Sequence, residues 1–283
     1  MENNWRASIE ENPTERNEVC SLSMVRRVAA MLDVDTASFS IGDLLPRGWH
    51  FFLLAGETRK SDLRSDGFPG LGVPLPDLGL PRLLLGGRTV SYKGDITIGS
   101  EVARTSFVSN ITEKTPPSGR MAIVTIQHEL RPVSTPAPAI IETQTYILLS
   151  GKSGQSNTKK PIAPPIQSSY QKQVVPNETL LFQYSALGFN SHKIHLDRDY
   201  AQKVEGLPDL VVNGGLATLL LTEFLRNDLG LKLTDIKVKH TAPLFCDRPM
   251  TLAADRSETG WQLKIVDDTN EPAVEMEAKI MEV

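Results

Sequence analysis

The clearest periodicity in the chain lies at its end, where Val274, Met276, Ala278 and Ile280 alternate with Glu275, Glu277 and Lys279. A period of two sends successive side chains to opposite faces, so this segment reads as a strand with one wet face. Other β-rich runs are Arg88–Tyr92, a longer one from Val102 to Asn110, Met121–Leu130, Ile140–Leu149, Ile236–His240 and Trp261–Val266. Both halves of the chain share one order: a strand, a polar turn holding a buried aliphatic residue, then further strands. In the first half that turn is Gly94 to Glu101, and in the second it is Ala242 to Met250. A repeat of about 150 residues is too long for a solenoid unit and indicates two copies of one small α+β domain.

Between the copies lies Gly151 to Gln167 (GKSGQSNTKKPIAPPIQ), whose Gly, Ser, Lys and Pro content cannot bury a core. The expected division is a frayed tail over 1–20, a first repeat over 21–150, a linker over 151–167 and a second repeat over 168–283. The second repeat has a strong central helix. Asn213-Gly214-Gly215 opens it, Leu216 to Leu225 form it, and Asn227-Asp228-Leu229-Gly230 closes it. Its apolar residues lie nearly all the way round, so something must wrap it. An antiparallel sheet curled around one helix meets that requirement. The first repeat lacks the counterpart, because the stretch from Gly56 to Gly87 is too rich in Gly and Pro for a long regular helix. A shorter helix is expected from Met24 to Leu32, with Ser23 as its N-cap.

Composition narrows the class. The 283 residues are 40% hydrophobic and 23% charged, with no apolar run near the ~20 residues a membrane span needs. A formal net charge of −4 gives no electrostatic footprint for nucleic acid. The segment from Met1 to Glu18 is acidic and lacks an apolar stretch, unlike a mitochondrial or secretory leader, and the expected compartment is the cytoplasm. Cys20 and Cys246 form no metal-ligand pair and suit reducing conditions. No G-x-S-x-G, phosphate-binding loop or dinucleotide fingerprint is present.

Two segments are more specific. The first is Phe189-Asn190-Ser191-His192-Lys193-Ile194-His195-Leu196-Asp197-Arg198-Asp199-Tyr200-Ala201, and the second is Gly206-Leu207-Pro208-Asp209-Leu210-Val211-Val212-Asn213-Gly214. Together they resemble the active-site signature of the MaoC-like dehydratases, in the branch of mesaconyl-C4-CoA hydratases and type 2 hydroxyacyl-thioester dehydratases. The first half resembles that branch too, in Gly42-Asp43-Leu44-Leu45-Pro46, Trp49-His50, Gly86-Gly87-Arg88 and Val108 through Lys114. The resemblance runs from about Ser21 to the end. It implies an α+β double hot-dog fold in which the second repeat supplies the chemistry and the degenerate first repeat makes room for the acyl chain. It also implies a hydro-lyase acting on enoyl or 3-hydroxyacyl thioesters of CoA or acyl carrier protein, with neither cofactor nor metal.

Reversible hydration of an α,β-unsaturated thioester needs a proton-transfer group, something to hold the water, and donors for the enolate-like oxygen. The resemblance assigns the first role to His195, because imidazole titrates near neutrality. Asn190 stands where many (R)-specific hydratases have Asp. An amide takes up no proton and could only orient water, or it could be a turn residue. Gly214 at the helix start offers backbone N–H groups and the positive end of the dipole to an oxyanion. Similar sequences read Val-Val-His-Gly-Pro here. Asn213 and Gly215 depart from that pattern, and the departure is expected to loosen the loop. His192 and Asp197 would support the site from behind, with Asp197 and Asp199 capping the helix that follows. Arg88, Lys93 and Arg248 read as surface charges or as contacts to a pantetheine phosphate.

Two substrate versions make different demands. A dicarboxylic acyl group needs a cation deep in the acyl pocket, whereas a longer fatty or polyketide chain needs an apolar tunnel. An isomerase or cyclase on the same scaffold, or an acyl-binding protein without catalysis, are the competing functions. The two repeats can pair within one chain, and homodimerisation is left open.

Overall fold

The computed structural model describes residues 13–117, 119–150 and 163–281. Most of the expected linker, and the first twelve residues of the expected tail, lie outside the described residues. Ten strands form one antiparallel sheet: β1 (Thr14–Val19), β2 (Arg82–Tyr92), β3 (Glu101–Lys114), β4 (Met121–Pro132), β5 (Ile140–Leu149), β6 (Tyr170–Val174), β7 (Leu233–His240), β8 (Met250–Ser257), β9 (Gly260–Val266) and β10 (Pro272–Ile280). Four α-helices accompany them: α1 (Leu22–Met31), α2 (Glu178–Leu187), α3 (Arg198–Lys203) and α4 (Gly214–Glu223).

The sheet order, β1-β3-β4-β5-β2-β7-β10-β9-β8-β6, contains the repeat. Read outward from the central pair, the first copy runs β2, β5, β4, β3, β1 and the second runs β7, β10, β9, β8, β6. Each strand of one copy thus meets its sequence counterpart at the same distance from the joint. The joint itself is like on like: β2 pairs with β7, antiparallel, from Gly87↔Lys239 to Ser91↔Asp235. Buried edges of both copies are satisfied in one stroke, and among the described residues β1 and β6 remain as outer edges.

The central helix α4 is enclosed, as its composition requires. Leu216, Leu219 and Leu221 are buried on different sides of it, and a π-helical turn, Phe224–Asp228, continues it with Phe224 and Leu225 also buried. In the first copy the corresponding place holds only a short 3-10 turn, Trp49–Leu54, in which Trp49 to Leu53 are all buried. Its Trp49 Nε1 donates to Glu223 Oε1 at 2.6 Å, tying the turn to the far end of α4. From Ala55 to Pro81 the chain is irregular apart from one short 3-10 turn at Lys60–Asp62.

Two expectations need correction, and one helix has no expectation to match it. Thr14–Val19, placed in a frayed tail, is instead the edge strand β1, paired with β3 from Thr14↔Ser106 to Val19↔Glu101. Its alternation of exposed and half-buried residues is that of an edge. The first helix begins earlier, and its cap is Ser21, not Ser23: the Ser21 hydroxyl accepts from Met24 N at 3.3 Å. Helix α2 has no counterpart in the sequence reading, although Asn177 caps it by accepting from Leu180 N at 2.9 Å.

Gly87 fixes how closely the copies can approach. A Cβ there would collide with the Val238 carbonyl oxygen on the facing strand. Gly87→Val should therefore destabilise the fold by about 1–3 kcal/mol, the usual cost of overpacking. Gly94→Ala, whose Cβ would meet Ala139 at an ordinary 3.5 Å, should change little. Urea unfolding of the two variants measures the difference.

Candidate active site

The site is built where α2, the loop after it and the start of α4 converge. α2 ends at Leu187, and the chain reverses through Gly188 and Phe189, which takes a left-handed φ of 48° without being glycine. Asn190 N then donates back to Ser185 O at 2.8 Å. The Asn190 side-chain oxygen accepts from His192 N at 3.0 Å, so its carbonyl serves the turn and its amide NH2 is the end left for a ligand. Irregular chain from the first copy clamps this loop. Lys193 N donates to Asp66 O at 2.8 Å and Ser191 Oγ to Gly67 O at 2.7 Å. The Gly- and Pro-rich stretch is thus a support for the loop as well as a missing helix.

His195 closes a short 3-10 turn, Lys193–His195, and is buried. Its Nδ1 lies 2.7 Å from Val211 O. A carbonyl only accepts, so Nδ1 carries the proton and Nε2 the lone pair. Burial pushes the imidazole down to about 4, against the pull of the Val211 carbonyl and with a small contribution from His192. At neutral pH it is therefore an uncharged base. His192 packs edge-on against it, ring centroids 5.6 Å apart, and its Nε2 is 3.8 Å from Asp66 Oδ2. Among the described residues no group of three or more His, Cys, Asp or Glu side chains is placed to hold a metal. Asp197 caps α3 as expected, accepting from Tyr200 N at 2.9 Å.

Val211 leads directly to the start of α4. Asn213 precedes the helix but gives it no side-chain cap, so the first N–H groups stay open for an incoming oxygen. Its amide nitrogen instead donates to Ser185 Oγ at 3.3 Å. Ser185 is the residue that the sequence reading missed: its carbonyl holds Asn190 and its hydroxyl holds Asn213. A small polar residue on the buried face of α2 was the only signal. Beside it opens a groove of about 290 Å³, lined by Lys60, Phe182, Ser185, Phe189, Asn190 and Leu196. Phe182 and Phe189 are 62% and 57% exposed there, apolar surface that a long thin ligand arm would cover.

Gly215 does not loosen the loop as expected. A Cβ at this position would collide with the Tyr184 hydroxyl, and Arg88 Nη2 would lie 3.3 Å from it. Tyr184 is in turn stacked on Phe51 from the first copy, with centroids 4.6 Å apart. Glycine is what lets the helix start sit against these two polar groups. Arg88, read as a surface charge, is in fact inside the molecule: its side chain is 11% exposed and Nη1 lies 3.2 Å from Glu142 Oε1. Gly215→Ala should reduce stability by about 1–3 kcal/mol, and Tyr184→Phe should restore part of the loss in thermal unfolding of the double variant.

Known proteins resemble this chain along most of its length. The family model for hydroxyacyl-thioester dehydratase type 2 matches residues 48–246. A mesaconyl-C(4)-CoA hydratase of Chloroflexus aurantiacus is 32% identical over 256 residues, covering 88% of this chain and 88% of that protein. Among solved structures, a MaoC-like dehydratase of Phytophthora capsici superposes with a TM-score of 0.71 at 13% identity, covering 99% of both chains. HtdX of Mycobacterium tuberculosis superposes at 0.67 with 15% identity, covering 95% of this chain and 100% of that one. The match over residues 48–246 takes in the clamp, the His195 turn and the start of α4 alike, and the chain belongs to the hydroxyacyl-thioester dehydratase type 2 family.

Proposed function

We propose that this chain is a hydro-lyase that adds water to enoyl thioesters and removes it from 3-hydroxyacyl thioesters. The observation that carries this reading is His195, buried and uncharged, with Nδ1 committed to Val211 O and Nε2 left as the lone pair. In hydration, His195 Nε2 takes a proton from water as the oxygen bonds to the β-carbon. Electron density moves onto the thioester oxygen, which the open N–H groups at Gly214 and Gly215 stabilise. The proton held by His195 then passes to the α-carbon, so one water is added across the double bond and the base is regenerated. Dehydration is the same path reversed.

Asn190 is proposed to hold the water or the β-hydroxyl through its amide NH2, since its oxygen is engaged by His192 N. His192 steadies the His195 ring, and Asn213 keeps the helix start open by bonding Ser185 instead of capping. The exposed groove at Phe182 and Phe189 suits the pantetheine arm of CoA or of an acyl carrier protein. No helix among the described residues is long and apolar enough to cross a membrane. Two free, buried cysteines, Cys20 and Cys246, fit a reducing compartment, which we take to be the cytoplasm. A pseudo-dimeric chain with β1 and β6 as edges can act alone or pair further through one of them.

The test is the loss of enoyl-thioester absorbance with crotonyl-, mesaconyl- and longer enoyl-CoA. His195→Ala should lower the rate by about 10²–10⁴-fold, the range of general acid–base contributions, while circular dichroism stays unchanged. Because the base must be neutral, kcat/KM should hold through neutrality and fall only as pH approaches about 4, where His195 gains a proton. A folded His195→Ala protein as active as the parent would remove the proposed mechanism.

A further inference from the structure

The loop that carries His195 is held from the first copy at three consecutive residues, Ser191, His192 and Lys193. The part that reaches across is the tight turn from Arg64 to Phe68. Two backbone bonds close it, Gly67 N to Arg64 O at 2.8 Å and Arg64 N to Phe68 O at 3.3 Å. Asp66 Oδ1 accepts from Phe68 N at 2.9 Å, and Asp66 Oδ2 lies 3.1 Å from Arg64 Nη2. The Asp66 carbonyl takes Lys193 N, the Gly67 carbonyl takes Ser191 Oγ, and Ser65 O accepts from Lys193 Nζ at 2.8 Å. Gly67 has a left-handed φ of 77°, and a Cβ there would collide with the Ser191 carbonyl oxygen. Glycine is required on both counts.

Two side chains of the turn touch the loop in a different way, because they meet a ring and not the backbone. Phe68 packs against His192 with centroids 5.4 Å apart, and Asp66 Oδ2 lies 3.8 Å from His192 Nε2. The Asp66 and His192 side chains are 14% and 15% exposed. His192 stands at 90° to the His195 ring. The bond from His195 Nδ1 to Val211 O fixes one ring atom but leaves the ring free to turn about it, and the χ2 torsion of histidine is soft. An edge-to-face neighbour supplies the missing restraint, provided that the neighbour is itself held. His192 is held by its backbone N on Asn190 Oδ1, by Phe68 and by Asp66. A chain of contacts thus runs from Asp66 through His192 to the base.

We propose that Asp66 is a positioning residue for the reaction: by holding the His192 ring it keeps the His195 ring at the angle from which Nε2 exchanges protons with the substrate. This role rests on the hydro-lyase reading of His195. It makes the active centre a composite of both copies. The base and the donors at Gly214 belong to the second copy, and the turn that orients the base belongs to the first.

Kinetics and imidazole NMR test the two readings separately. With crotonyl-CoA and mesaconyl-C4-CoA, Asp66→Ala should lower kcat roughly 10- to 100-fold, the scale of a small misplacement of a reacting group, with KM within about twofold of the parent. Asp66→Asn should recover most of the rate, because its amide can still accept from Phe68 N and face the His192 ring. Asp77→Ala removes a comparable turn bond in the same segment, Asp77 Oδ1 to Gly79 N, and should leave kcat unchanged. The 15N signals of the His195 ring, identified by their loss in His195→Gln, should show the Nδ1–H tautomer in the parent. In Asp66→Ala they should move towards the average of the two tautomers, and in Asp66→Asn they should return. A folded Asp66→Ala protein with the parental kcat overturns the role of Asp66. So does an equal loss in Asp77→Ala, which would mark the whole segment as a stabiliser, or an Asp66→Asn variant as slow as Asp66→Ala, which would mark charge and not placement as the cause. If the parent hydrates no enoyl thioester, the hydro-lyase reading fails and the ring signals alone decide: a changed tautomer in Asp66→Ala sustains the hold on His195, and unchanged signals overturn it.

Discussion

An α-helix with apolar residues on every side cannot rest on a surface, and its enclosure is the constraint from which the architecture follows. α4 has Leu216, Leu219 and Leu221 buried around its circumference, so a sheet must curl about it. Enclosure places the helix start inside the molecule, where its open N–H groups would be costly without a partner. Asn213 could have capped them and does not. The protein therefore holds a set of donors in a water-poor place, which is the condition under which such donors act most strongly on a developing oxyanion.

The second constraint is that, among the described residues, one copy has such a helix and the otherwise equivalent copy does not. The strand orders match position for position about the β2–β7 joint, yet the first copy offers a six-residue 3-10 turn where the second has α4. Space released by the missing helix is only partly refilled with apolar groups. The rest holds Arg88, His50 and Gln144, each in contact with Glu142. Degeneracy of the first copy thus gives two things at once: an irregular segment free to clamp the Asn190–Lys193 loop, and a polar band opposite the helix start.

Much of this was legible in the sequence, and the parts that were not share a cause. Alternation exposed β10, and apolar density exposed α4, because each of those signals is local. The division into two related halves followed from the order of the same strands. β1 was missed because an edge strand with Glu15, Arg16 and Glu18 carries little hydrophobic signal, its stability coming from pairing with β3. Ser185 and Arg88 were missed or misplaced for a different reason: their roles depend on what tertiary contacts bring beside them. Arg88 follows two glycines in a β-run, and nothing in that neighbourhood tells a guanidinium facing Glu142 from one facing water. Gly215 was read as slack in the backbone, when the Tyr184 hydroxyl and Arg88 leave no room there for any side chain.

Charge is distributed in the site so that its two halves can work at the same pH. Burial alone lowers a histidine, and His195 and His240 are both held uncharged near neutrality. Burial alone would also protonate Glu142, but Arg88 and His50 prevent it. The outcome is a neutral histidine on one side of the helix start and an ion pair on the other, so the fixed charges around its N–H groups cancel.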